Sequence, residues 1–447
     1  MDTNLDDAFA AHLETVRLRT DAALQASGCD GLVIFSGRPR YHFLDDHAYP
    51  YQANPHFLHW APLLDAPDSF IRYLPGQRPL LVFHQPADYW HKPPAVPTAG
   101  WVSQFDVRVV RDPGEARALL ATADHRLAFV GEWQAEFGAW GFAGTNEQRL
   151  LDHLHFGRAI KTPYEVECLR RASRLGARGH LAAAAAYRAG ASEYEVHQAY
   201  CAATGLREQE LPYGNIIAFG EGAAVLHYQN LQRARDVPRP SFLIDAGAAV
   251  RGYASDITRT YSGGDKPFAS LVAAMDKLQL QLCAAVVAGT DYRDVHLLAH
   301  RLIASVLRDA DIIGCDAATA IAEGVTSVFF PHGIGHLLGL QVHDVAGFAR
   351  DPSGAEIPKP AGHPFLRLTR TLAPGFVVTI EPGIYFIDLL LDKARAGTAG
   401  RYIRWETVQR FKPFGGIRIE DDVLCTAGAP ENLTRDAFAA LTPTLSR

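Results

Sequence analysis

The sequence predicts two domains: an α/β domain at residues 1–158, then an α+β domain at 159–447 made of two similar halves. Three observations carry this. Short apolar strands alternate with helical segments up to Arg158. A helix start with full capping chemistry follows at Thr162, and a short stretch recurs about one hundred residues apart in what remains.

The elements follow in chain order. MDTNLDDAFAAHLETVRLRT reads as an amphipathic helix with acidic residues early. CDGLVIFSG, RPLLVFHQP, VRVV and RLAFVGE read as short apolar strands, with GEARALLATA a helix among them. HKPPAVPTAG is a proline-rich loop too short to divide domains. In KTPYEVECLRRASRLGARGHLAAAAAYRAG, Thr162 is placed to cap, Pro163 to take the first helical position and Glu165 to close a capping box. A long helix therefore opens the second domain. AGASEYEVH (189–197) and AGTDYRDVH (288–296) match once one gap is allowed, each a loop running into a helix. SFLIDAGA and GYASDITRTY, rich in β-branched and aromatic residues, form a hairpin around AAVRG. A turn centred between Val250 and Arg251 would set Asp245 opposite Asp256, and a slip by one pair would leave both on the same face. Two bare carboxylates about 5 Å apart repel and are costly to desolvate, so such a pair shares a proton or holds a cation.

Composition limits the function. The chain has 447 residues, 48% hydrophobic and 21% charged, enough for a large core. A net charge of −6 with no basic stripe argues against nucleic acid or an anionic membrane as partner. No apolar run is long enough to span a bilayer, and the N-terminus lacks a basic start followed by an apolar signal core. The six cysteines, Cys29, Cys168, Cys201, Cys283, Cys315 and Cys425, are scattered with no CxxC. They read as free thiols, and the expectation is a cytoplasmic protein.

Further donors follow the aspartate pair. PHGIGHLLGLQVHD sets His332, His336 and His343 among closely spaced glycines. VVTIEPGIYF ends a strand at Glu381, and GIRIEDDVL places Arg418 and Glu420 on one strand face. An Asp, Asp, His, Glu, Glu set suits Mn²⁺, with Co²⁺, Fe²⁺ or Zn²⁺ as further candidates. Four carboxylates exceed the charge of one divalent ion; two ions roughly 3.5–4 Å apart would balance it.

In this order and context (IDAG, SDITRT, HGIGH, EPGIY, IRIEDD) the five residues resemble the metallopeptidases of the pita-bread fold: methionine aminopeptidase, aminopeptidase P and prolidase. FLDDHAYPYQANPHFLHWAP and KPFGGIRIEDD extend the resemblance to the bacterial Xaa-Pro dipeptidases, or prolidases, over nearly the whole chain. The resemblance implies a pita-bread catalytic domain with pseudo-symmetric halves. It implies Asp245 on one metal, His336 and Glu381 on the other, and Asp256 and Glu420 bridging both. A bridging hydroxide would attack Xaa-Pro dipeptides, Glu381 would also handle the proton, and His227 and His343 would line the substrate site. His332 is placed in the same pocket; Arg418 either orients Asp256 or Glu420 or contacts substrate. Arg367, with Arg370 as rival, falls where prolidases hold the substrate carboxylate, and Asp45 and Tyr213 where they shape a small pocket. The family also implies a homodimer and a side activity on organophosphorus triesters. The alternatives are an aminopeptidase P acting on longer peptides and a non-catalytic interaction protein on the same fold.

Overall fold

The structure, a computed structural model, describes residues 3–122 and 124–441. The chain divides into two compact units: Met1–Cys168 with Arg251–Tyr253 and Ala349–Glu356, and the remainder.

The first unit opens with helix α1 (Thr3–Ser27); the first two residues of the stretch read as helical lie outside the described residues. Strands β1 (Gly31–Phe35), β2 (Phe70–Tyr73), β3 (Leu80–His84), β4 (Asp106–Val110), β5 (Leu127–Val130) and β6 (Gly144–Thr145) form one mixed sheet, ordered β4-β3-β2-β1-β5-β6. The β1–β2 and β2–β3 pairs are antiparallel, the others parallel. Every residue of β1, β3 and β5 is buried, which is why these strands read as continuous apolar runs. Strand β2 carries no continuous apolar run, because Arg72 interrupts it; that guanidinium donates to the Leu119 carbonyl at 2.8 Å. Val33, Phe35, Phe70, Val82, Phe129 and Phe137 pack into the core of the unit. Helices α2 (Pro55–Trp60), α3 (Glu115–Leu120) and α4 (Gln148–Arg158) complete it.

Helix α5 (Pro163–Arg188) starts as its capping chemistry requires. The Thr162 amide donates to Glu165 Oε2 at 2.8 Å, and the Glu165 amide donates to Thr162 Oγ1 at 3.4 Å. Next come α6 (Glu193–Thr204), then β7 (Ile216–Phe219), β8 (Ser241–Asp245), β9 (Ala249–Val250), β10 (Tyr253–Ala254) and β11 (Thr258–Ser262). The second half starts with α7 (Lys266–Ala284) and α8 (Tyr292–Asp309), then α9 (Ala317–Ala322) and α10 (Val325–Phe329). Strands β12 (Val377–Ile380) and β13 (Gly383–Tyr385), helices α11 (Asp388–Ala396) and α12 (Trp405–Phe411), strands β14 (Gly416–Arg418), β15 (Asp421–Leu424) and β16 (Glu431–Asn432), and α13 (Leu433–Leu441) close the chain. The sheets are ordered β11-β8-β7, β12-β15-β16 and β13-β14.

The internal repeat aligns without the expected gap. Ser192 caps α6 by accepting from the Glu195 amide, and Asp291 caps α8 by accepting from the Arg293 amide. Gly190 (φ 89°) and Gly289 (φ 90°) each turn the chain ahead of the cap. Caps, buried valines (Val196, Val295) and histidines (His197, His296) then correspond at one constant interval, so the apparent tyrosine match that required the gap is incidental.

The hairpin register also differs from expectation. Asp245 pairs with Thr258, not with Asp256. The turn centres on Arg251 (φ 53°) and Gly252 (φ 88°). A turn of this kind (type I′) needs two left-handed residues, which β-branched Val250 supplies poorly and Gly252 readily. The shift is one pair, so Asp245 and Asp256 keep a common face.

Candidate metal centre

Asp245 ends β8, and Asp256 precedes β11 by two residues. Tyr213, in the loop before β7, brings its hydroxyl to 2.8 Å from Asp245 Oδ1 and 2.6 Å from Asp256 Oδ1. A phenol has one hydrogen to give, so two ionised carboxylates around it need a further proton or a cation. Burial pushes the Asp245 carboxyl up. Burial acts the same way on Asp256, but the His336 imidazole outweighs it and draws that carboxyl down. The sequence reading put Tyr213 in the substrate pocket; the structure places its hydroxyl on the two aspartates.

Gly335 brings the third donor in. Its backbone (φ 153°) runs so close to β12 that a Cβ would collide with the Thr379 carbonyl oxygen. The Glu381 amide donates to the Ile334 carbonyl at 2.9 Å, and the Thr379 amide to the His336 carbonyl at 3.0 Å. The His336 ring is fixed through Nδ1, 3.0 Å from the Leu337 carbonyl, leaving Nε2 toward the carboxylates. Nε2 lies 3.5 Å from Asp256 Oδ2 and 3.7 Å from Glu381 Oε1. Glu381 directly follows β12, and burial raises its carboxyl to about 7.

Glu420 stands between β14 and β15. Its amide donates to the Thr258 carbonyl at 3.0 Å, and Thr258 Oγ1 donates to its Oε2 at 2.8 Å. Donor atoms of Asp256, His336 and Glu420 lie within 4.8 Å of one another, and all three residues are buried. Burial followed by the neighbouring Asp256 and Glu381 pushes Glu420 well up. Arg418, expected to orient Asp256 or Glu420 or to meet substrate, pairs with Asp245 rather than with either of those two carboxylates, Nη2 to Oδ2 at 2.7 Å. Its remaining donors reach Tyr385 Oη at 3.0 Å and Thr258 Oγ1 at 3.2 Å. The reason is register: Arg418 faces Gly383 across the β13–β14 pair and reaches past Thr258, the residue opposite Asp245.

His332 is held at both ring nitrogens, Nδ1 2.8 Å from the Gly333 carbonyl and Nε2 2.9 Å from Tyr385 Oη. Burial, then the Arg418 charge, lowers it to about 3. His343 stands edge-on to His336, ring centroids 4.4 Å apart. Burial, then His336 and Arg367, lowers it to about 4. His227 and Arg367 are both exposed. Arg370 is buried with its guanidinium over the Phe376 ring at 4.8 Å. Asp45 belongs to the first unit, exposed, its Oδ1 accepting from the His47 amide at 3.1 Å.

Residues that support these donors were legible only as parts of quoted stretches. Asp422 accepts from the Asp256 amide at 3.2 Å and from Ser173 Oγ at 3.0 Å. Thr258 and Tyr385 serve Glu420, Arg418 and His332 as described. Their partners lie more than thirty residues away in sequence, so spacing gave no signal for them.

Asp245, Asp256, Glu381 and Glu420 meet one guanidinium, Arg418, and two imidazoles, His336 and His332, of which burial and Arg418 keep His332 neutral, so the site keeps excess negative charge. An oxygen-rich donor set with one oriented imidazole nitrogen fits a divalent cation. Comparison with known proteins agrees with that chemistry. Residues 7–156 match the Xaa-Pro dipeptidase N-terminal domain, and residues 167–427 match metallopeptidase family M24. Fold and donors together define a metallopeptidase with a pita-bread catalytic domain, and the chain belongs to metallopeptidase family M24. It is 52% identical to an Xaa-Pro dipeptidase of Stenotrophomonas maltophilia (strain K279a) over 97% of each chain. It is 50% identical to an Xaa-Pro dipeptidase of Xanthomonas axonopodis pv. citri, covering 98% of this chain and 99% of that one. In fold it is similar to Escherichia coli aminopeptidase P, with TM-score 0.73 and 22% identity over 95% of each chain. Pseudomonas aeruginosa aminopeptidase PepP gives TM-score 0.69 at 22% identity, covering 96% of this chain and 98% of that one.

Proposed function

We propose that the protein hydrolyses Xaa-Pro dipeptides carrying a free C-terminal carboxylate. The observation that carries this is the meeting of buried carboxylates around His336, whose ring His343 meets edge-on at 4.4 Å. Asp245, Asp256, His336, Glu381 and Glu420 are the proposed ligands of two divalent ions, Mn²⁺ foremost, with Asp256 and Glu420 shared. When bound, such ions supply Lewis acidity and activate water near neutral pH.

The chain's own groups then have definite work. An Xaa-Pro bond is a tertiary amide, so its nitrogen leaves only once protonated. Glu381, raised to about 7 by burial, is suited to take a proton from the attacking water and pass it to that nitrogen. His343, kept neutral by burial, and His227 are proposed as N–H donors toward the carbonyl oxygen as charge builds there. His332, bonded at both nitrogens, is proposed to wall the pocket. Arg418 holds Asp245 in place, and Tyr213 spaces the two aspartates. Arg367 is the proposed fork for the substrate carboxylate; the burial of Arg370 against Phe376 favours Arg367 over it. Asp45 is proposed for the small substrate pocket, and the chain as a cytoplasmic homodimer, both on the family resemblance. A domain division at 158/159 is proposed between the two family matches, which end at 156 and begin at 167.

The test is proline release from Gly-Pro or Ala-Pro compared with Ala-Pro-Ala, using metal-free protein with added Mn²⁺. Fast cleavage of the dipeptides alone is expected. Equal cleavage of the tripeptide would make the chain an aminopeptidase P and leave Arg367 without its role.

A further inference from the structure

Away from the carboxylates, three more histidines meet. His296 and His300 lie one turn apart on α8 and are each 1% exposed. His363, partly exposed, approaches from the loop after Gly362. Ring centroids are 4.6–4.8 Å apart for all three pairs, and one nitrogen of each lies within 4.8 Å of the other two. His296 Nε2 is 2.9 Å from His363 Nδ1.

Hydrogen bonding separates this cluster from an ordinary buried network. His300 Nδ1 is fixed by Thr326 Oγ1 at 2.8 Å, while its Nε2 is buried without a hydrogen-bond partner. His296 Nδ1 is likewise buried and unbonded. Leaving His300 Nε2 unmet costs free energy unless a ligand takes it; His296 meets the cluster through Nε2, so its Nδ1 is not the donor in question. A second histidine cluster, His12, His59 and Glu165, shows the contrast. There His12 bonds through both nitrogens, to Thr162 Oγ1 at 2.9 Å and to the His59 carbonyl at 2.8 Å, and His59 Nε2, though buried without a hydrogen bond, faces Glu165 Oε1 at 3.6 Å, so a carboxylate answers it. His332 is no rival partner for the three, since both its nitrogens are engaged elsewhere.

We infer that His296, His300 and His363 form a third metal site, selective for a nitrogen-preferring divalent cation such as Zn²⁺ or Co²⁺ over Mn²⁺. Tetrahedral zinc places imidazole nitrogens about 3.3–3.4 Å apart, between the shortest contact here and the span of the cluster. The donors are neutral imidazoles with no carboxylate among them, which disfavours the harder Mn²⁺. Thr326 gives His300 the outer hydrogen bond that ligating histidines need, leaving Nε2 as its donor. Coordination replaces the His296–His363 hydrogen bond and leaves each ring proton on the nitrogen facing away from the ion. The partly exposed His363 marks the side from which an ion enters.

The experiment loads the full-length protein with Mn²⁺, adds Zn²⁺, removes free metal by gel filtration and counts total metal per chain. Wild type is expected to hold one equivalent more than His363→Ala. His300→Gln is expected to match His363→Ala, with the melting curve checked for each. Because the readout is a difference between proteins that share the carboxylate centre, it stands whatever that centre holds and whatever peptide is cleaved. Co²⁺ titration reads the same site by visible absorption, with an intense ligand-field band in wild type that His363→Ala lacks. Equal metal content in wild type and His363→Ala, or an unchanged Co²⁺ band, would overturn the site.

Discussion

Two regions bury histidine beside carboxylate and treat the charge in opposite ways. At the start of α5, Glu165 is fully buried, yet it accepts from the Thr162 amide at 2.8 Å and from Tyr253 Oη at 3.1 Å. His59 lies 3.6 Å away and His12 3.9 Å. Burial alone would raise that carboxyl, but His59, His12 and Lys161 together hold it well below the usual range. Asp421 behaves alike: Arg259 and Arg435, each at 2.7 Å, overcome burial and keep it down at about 2. At the metal centre Asp245, Glu381 and Glu420 are pushed up, while Asp256, beside His336, is drawn down. A fold that neutralises its own buried charge is holding itself together. One that leaves charge uncompensated is holding a place for something else.

The sharpest way to break this comparison is to remove one group from each side. Glu381→Ala is expected to lower dipeptide hydrolysis by about 10³-fold or more, roughly 4 kcal/mol of transition-state stabilisation, with the melting temperature of the metal-free protein little changed. Retained turnover would remove Glu381 from the chemistry. Glu165→Gln should do the reverse, costing about 3 kcal/mol of stability in denaturant titration while metal content and turnover per folded molecule stay as in wild type. A metal loss in that variant would show that the cap also serves the site.

Smaller effects sharpen the picture. Arg367→Ala is expected to raise KM for Ala-Pro about 10–100-fold, or about 1.4–2.7 kcal/mol, with kcat changed far less. If Arg370→Ala gave that phenotype instead, the carboxylate assignment would move to Arg370.

A further effect concerns pH. His180, buried and 3.0 Å from the Ala246 carbonyl, is lowered by burial to about 3. Its folded value lies below the unfolded one, so the unfolded chain takes up the proton first as pH falls. Its stabilisation is complete above about pH 6.5 and is lost from there down toward 3, at up to about 1.4 kcal/mol per pH unit. Melting of His180→Gln should therefore depend less on pH than wild type between 6.5 and 4. Parallel curves would show that His180 does not carry this dependence.

Much of this was open to reading from residue order. β-branched and aromatic positions marked the hairpin, Thr162 and Glu165 marked the helix start, and His336 stood out among closely spaced glycines, whose close approach to β12 only the structure shows. Those signals are local, because backbone conformation and capping depend on residues a few positions apart. The exact turn was missed because the positive φ at Arg251 is set by its glycine neighbour and the strands on either side. The partner of Arg418 was missed because Asp245 lies 173 positions away in sequence.

By itself, then, the sequence determined which residue types are present and which short stretches present them: two aspartates on one strand face, a histidine behind a glycine, one glutamate at a strand end and another two residues from Arg418. Tertiary structure decided their mutual distances, which carboxylate each cation serves, and which buried nitrogens are left without a partner. The physical reason is range. Propensity, capping and turn chemistry act within a few residues, whereas charge compensation depends on groups that only folding brings within bonding distance.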